Sequence, residues 1–237
     1  LPLMASLTET FAAAVELLVS GDEALWTIIG VSFRVSFTAL LLAIVPATLI
    51  GFALAYWRFP GRWLLLSLTH TLMAVPTVVV GLILFMLLSR AGPLGDWRLL
   101  FTQDAMIVGQ FLLCLPLLVS MSHSAFQGAD KRAWETAKML GASPFRCLWV
   151  LMLEVRYALY ACFIAAFARI IAEVGCAMMV GGNILNYTRS ITTAIALETL
   201  KGEYAQGVAL GLVLFILAMV LNVGMGLMRG KGQLVSR

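Results

Sequence analysis

The sequence predicts an all-α, polytopic membrane protein with about five transmembrane helices. Three observations carry that expectation. Of the 237 residues, 62% are hydrophobic and 12% charged, against roughly a quarter charged in a soluble domain, and the mean hydropathy is +0.98. The apolar residues gather into runs that reach the ~20 residues a helix needs to cross a bilayer. Lysines and arginines stand at the ends of those runs, as membrane topology requires. A net charge of +4 and a pI of about 9.0 therefore do not point to nucleic acid, because no soluble basic face collects them.

The elements follow in order. In residues 1–27, Phe11, Val15, Leu18 and Val19 recur at helical spacing among Glu9, Glu16, Asp22 and Glu23. That pattern predicts an amphipathic helix lying at an interface. No basic segment opens the chain, so no signal peptide is expected. Residues 28–228 form the transmembrane domain, with spans at about 35–57, 63–89, 105–122, 157–180 and 204–228. The first has no charge in 23 positions and contains Pro46; the second is interrupted by His70; the third contains Pro116. Arg169 and Glu173 lie inside the fourth, and 229–237 is a basic tail. Between the last two spans, 191–200 reads as a short helix lying flat or dipping back. No internal repeat or inverted half-repeat is evident.

Orientation follows from basic residues. The turn after the first span, the 129–156 loop and the tail carry 2, 5 and 3 of them, ten in all. The opposite loops carry Arg90, Arg98, Arg189 and Lys201, with Arg34 at the rim. The richer side is cytoplasmic, which puts the N-terminus outside and the C-terminus inside.

The loop at 129–156 is the long hydrophilic interruption. Asp130 is a good N-cap for a helix over 131–140, which Gly141 is placed to end. Ser143 and Pro144 then open a second helix, with proline at the first helical position. Ala133, Ala137 and Gly141 share a nearly bare face with Glu135 beside it. Two short helices bent at a glycine between spans have the form of a plug for another protein's socket, or of a helix pair packed on its own domain.

Glu135-Thr136-Ala137, three residues, Gly141, nine residues, Leu151-x-Leu153 resembles the coupling-loop signature of binding-protein-dependent ABC importer permeases. The chain departs from it at Thr136, at Leu151 and at Glu154, where the family has proline. The resemblance implies a type I permease core in which Glu135, Ala137, Gly141 and Ala142 meet a separate ATPase. Arg169-Ile-Ile-Ala-Glu173-Val-Gly175-Cys176 resembles a segment of oxyanion importer permeases, and Val75-Pro76-Thr77-Val78-Val79-Val80-Gly81 resembles the family's path-lining span. Gly182-Asn183-Ile184, Thr188-Arg189 and the run from Thr192 to Gly202 look closest to the tungstate and molybdate types. The implied path residues are Pro76, Thr77, Val78, Arg169, Glu173 and Asn183.

Residue chemistry leaves some of these open. A lone charge at mid-bilayer costs at least ~2.5 kcal/mol, and Arg169 and Glu173, four apart on a helix, can pair. The pair is either an ion contact or a clamp fixing the helix rotation or a subunit seam. Pro76 frees a backbone carbonyl, as a proline kink or as pore lining. Asn183, Thr188, Arg189, Thr192 and Thr193 read as a solvated loop with capped helix ends, or as a receptor surface for a binding protein.

No catalytic set is visible. The nearest approach to a phosphate-binding loop, Gly230-Lys231, has Met225 and Gly232 where glycine and a hydroxyl are required. No enzyme activity or bound cofactor is expected; ATP and Mg belong on the partner. Cys114, Cys147, Cys162 and Cys176 form no CxxC pair and read as small apolar filler. His70 and His123 lack partners at metal spacing. The resemblance implies two ATPase copies, a second copy of this chain, an extracytoplasmic binding protein, and a prokaryotic inner membrane. The solute expected is tungstate, with molybdate or another small anion as the alternative. An ion-coupled carrier or channel using Arg169 and Glu173 as a relay, and a non-transporting scaffold, are the rival classes.

Overall fold

The computed structural model describes residues 23–235, together with Ala12, Glu16 and Ser20. The expected helix over 1–27 thus lies mostly outside the described residues. Its last five residues belong to the first long helix. Among the described residues every regular element is helical.

Helix α1 (Glu23–Tyr56) has 34 residues, so the span expected at 35–57 is the second part of a longer helix with Arg34 inside it. Next come α2 (Arg62–Ala74) and α3 (Thr77–Leu88), then a 3-10 turn at Gly95–Trp97. The span expected as one run over 63–89 is therefore two helices. Val75 and Pro76 are both extended, with ψ 130 at each, a conformation that a residue before proline favours and that the packing of α3 on the later helix Gly175–Gly181 holds here. Helix α4 (Gln103–Gln127) covers the third expected span, with Pro116 accommodated inside it.

Helices α5 (Lys131–Met139) and α6 (Pro144–Glu154) form the elbow, and α7 (Arg156–Ile171) follows with a bend of 76° from α6. The fourth span, expected over 157–180, is also broken. It stops at Ile171 and resumes as α8 (Gly175–Gly181). Helix α9 (Ile191–Lys201) is the expected short helix. Helix α10 (Tyr204–Val235) carries helical backbone through most of the stretch expected as a tail. Among the described residues α1, α4 and residues 206–224 of α10 are each long and apolar enough to span, and the count reaches five if the bent pairs α2–α3 and α6–α7 are one span each.

The chain forms two compact units, 1–39 with 76–110 and 169–220, and 40–75 with 111–168 and 221–237. In the first, Leu25, Ile28 and Ile29 of α1 pack on Ile191 and Ala194 of α9 and Leu210 of α10. Ser32 accepts a hydrogen bond of 2.7 Å from the Ile191 amide, tying α1 to the start of α9. Glycines set the spacing of α3, α4 and α8. A Cβ at Gly81 would sit 2.9 Å from the Cys176 Cα, and one at Gly181 would sit 2.8 Å from the Met106 sulfur. Close approach through glycine is how helices associate where no hydrophobic drive acts between them.

In the second unit Phe52 of α1, Phe126 of α4, Leu148, Leu151 and Val155 of the elbow and Leu159 of α7 make one core. A Cβ at Gly51 would meet the Ser122 Cβ at 2.8 Å, so α1 and α4 also touch through a glycine.

Candidate functional site

The elbow is built by its caps. The Asp130 carboxylate accepts from the Arg132 amide at 2.9 Å and starts α5. Gly141, at φ +76, stops it in a conformation that costs other residues a Cβ clash. The Gly141 amide then reaches the Lys138 carbonyl and the Ala142 amide reaches the Ala137 carbonyl, both at 3.0 Å. This paired closure satisfies carbonyls the helix end would orphan. Three residues expected at the coupling site, Ala137, Gly141 and Ala142, are thus brought together in one turn. Glu135 stands exposed on α5. Ser143 caps α6 by accepting from the Arg146 amide.

Aromatic packing and α6 anchor the elbow. Trp134 lies 4.7 Å from the Tyr56 ring and 5.7 Å from the Phe52 ring, centroid to centroid. Cys147, Leu148 and Leu151 bury the inner face of α6. Glu154, in the position of the family's proline, ends α6, and its carboxylate accepts the Asp130 amide at 3.2 Å. The departure therefore closes the elbow at its base. The tip is apolar: Met139 is 80% exposed, Leu140 82% and Phe145 73%, with Trp149 beside them also exposed. Attention to the bare alanine face missed these four; the signal was apolar residues at a helix end inside a hydrophilic stretch.

The residues expected along a path lie in the other unit. Glu173 is 4% exposed while Arg169 is 59% exposed, and they pair at 3.3 Å. The second Glu173 oxygen accepts from the Cys176 amide at 3.3 Å, at the start of α8. The Glu173 carbonyl accepts from the Thr192 hydroxyl at 2.7 Å. One residue thus joins the end of α7, the start of α8 and the start of α9. A side chain that offers the backbone such partners competes with helix continuation, which accounts for the break at 172–174. Pro76 is the N-cap of α3, and Thr77 and Val78 face the start of α8. A Cβ at Gly175 would lie 2.6 Å from Val78 Cγ2 and 3.0 Å from the Thr77 hydroxyl.

Asn183 is not part of that junction. It follows Gly182 beyond the far end of α8, at φ +52. Of the cluster read as a solvated loop or a receptor surface, Thr188, Thr192 and Thr193 are buried, while Asn183 and Arg189 are half-buried. Thr188 donates to the Gly181 carbonyl at 2.6 Å and accepts from the Ile184 amide at 2.9 Å. Ser190 and Thr193 form a reciprocal cap at the start of α9. Arg189 and Lys201 flank Glu198, at 4.0 and 3.1 Å. The helix ends are capped as expected, but inside the protein. His123 is buried, and so are all four cysteines. No group of residues among those described fits a metal ion.

Residues 47–229 match the family of binding-protein-dependent transport system inner membrane components. The chain belongs to that family. A tungstate uptake system permease of Campylobacter jejuni is 41% identical over 212 residues, covering 90% of this chain and 89% of that protein. Another, from Peptoclostridium acidaminophilum, is 38% identical over 219 residues, covering 92% of this chain and 96% of that protein. The crystal structure of a bacterial alginate ABC transporter in complex with an alginate pentasaccharide-bound periplasmic protein is similar at a TM-score of 0.67. That similarity has 15% identity and covers 90% of this chain and 80% of that chain. The fold is that of an ABC importer permease, and the chain is an inner-membrane permease subunit.

Proposed function

We propose that this permease subunit imports tungstate, as a pair of copies enclosing one path, driven by two separate ATPase subunits that bind ATP and Mg. A binding protein delivers the anion on the outer side. The apolar tip of the elbow is the observation that carries the coupling role. Met139, Leu140 and Phe145 are too exposed for a cytosolic surface without a partner, and a glycine hinge fixed by caps gives that partner a rigid handle. The similarity to tungstate permeases supports the solute. The basic residues of the elbow loop support a cytoplasmic elbow, with the N-terminus outside and the C-terminus inside.

ATP-bound closure of the ATPase pair draws the two elbows together; the spans rock and open the path outward. The anion enters, and hydrolysis restores the inward-open state. Each state is favoured by what binds it better. In this reading Pro76, Thr77, Val78, Arg169, Glu173 and Asn183 line or flank the path.

The test is reconstitution in liposomes with the ATPase and binding protein, following ATP-dependent tungstate uptake. Leu140→Asp, at an exposed position, and Gly141→Asp are expected to lower uptake more than about ten-fold and to loosen ATPase co-purification. A hot spot of this kind is worth ~2 kcal/mol or more. Normal co-purification and uptake with both variants refutes the coupling role. Uptake driven by an ion gradient without the ATPase refutes the importer mechanism.

A further inference from the structure

We propose that Arg169 is the oxyanion contact within the membrane, and that Glu173 is the positioning residue that holds its guanidinium toward the path. The proposal rests on the importer reading above. It starts from an asymmetry. Glu173 is buried at 4% exposure while its partner Arg169 is 59% exposed. Here the carboxylate has no spare oxygen, since one takes the Cys176 amide and the other takes Arg169 Nη1. The guanidinium has five N–H donors in a planar fork, and the described contact uses one side of it.

Depth decides what the exposed side faces. Arg169 stands near the middle of the fourth apolar run expected to span, 157–180. At that depth a charged head faces protein or water, not lipid tails. Ala172, one turn on and exposed, adds only a methyl beside it.

The ligand class follows from the fork. A planar, permanently charged guanidinium suits a tetrahedral oxyanion better than a cation or a neutral solute. The buried carboxylate behind it keeps the local charge near balance. The anion is then held weakly enough to leave, which conduction demands.

The experiment uses the full importer in liposomes, with the wild type as control, measuring tungstate uptake and the ATP hydrolysis stimulated by loaded binding protein. Arg169→Gln is expected to cut uptake at least about ten-fold, the loss of a charge-assisted contact, while hydrolysis stays within about two-fold. Arg169→Lys, which keeps the charge without the fork, is expected to fall between. Unchanged uptake overturns the proposal, as does an equal fall in uptake and hydrolysis, the mark of a clamp. Should the Gln variant not assemble, Arg169→Cys is labelled with an anionic, water-soluble methanethiosulfonate against a background of buried native cysteines. Labelling that tungstate slows supports the contact; no labelling, or labelling that ignores tungstate, overturns it. A wild type that imports no tetrahedral oxyanion refutes the importer reading instead, so the two failures are distinct.

Discussion

Glu154 shows how one side chain replaces another kind of constraint. A proline at this position would end α6 by removing a donor and fixing φ. Here the helix ends at Glu154 and the carboxylate reaches back to the Asp130 amide, 24 residues earlier. The base of the elbow is closed by a hydrogen bond rather than by a ring. Glu154→Gln keeps an acceptor there and is expected to retain coupling. Glu154→Ala is expected to lower tungstate transported per ATP by up to about five-fold, the scale of one hydrogen bond. Equal coupling ratios in the two variants would refute the latch. Trp134 and Tyr56 hold the same base from the α1 side, so the loss is partial rather than complete.

Helices α3 and α8 are short, at 12 and 7 residues, and neither spans a bilayer alone. Their stability comes from each other. Gly81 lets α3 lie against the α8 backbone, and Gly109 of α4 leaves room for the Cys176 sulfur, which a Cβ there would meet at 2.6 Å. Gly81→Ala pushes a methyl into the Cys176 Cα at 2.9 Å, where backbone cannot swing aside. It is expected to cost about 1–3 kcal/mol, as overpacking does, and to lower the temperature at which the detergent-solubilised protein loses its size-exclusion peak. Ala at Gly211, which has open space around it, is the control and is expected to change little. A comparable loss in both variants would show that helix propensity or lipid, not the α3–α8 contact, sets stability.

At the scale of the molecule, orientation is a sum over many residues. Ten basic residues on the elbow side against five at most on the other predict a cytoplasmic C-terminus. A green fluorescent protein fused after Arg237 is expected to fluoresce, and an alkaline phosphatase fused there to be inactive. The reverse pair of results would place the elbow outside and end its role as an ATPase handle. The helical class, the apolar runs, the caps at Asp130 and Ser143, the stop at Gly141 and the pairing of Arg169 with Glu173 were legible in the residues alone. All of these are set by neighbours within about four residues, or by composition summed along the chain. Tertiary structure decided where helices break. Pro46 and Pro76 each follow a valine, yet α1 runs through Pro46 and the chain breaks at Pro76, with α3 pinned by Gly81 against α8. It also decided that Glu173 is buried while Arg169 is exposed, and that Thr188, Thr192 and Thr193 face inward. Burial depends on which distant segment packs against a residue, and local periodicity carries no record of that choice.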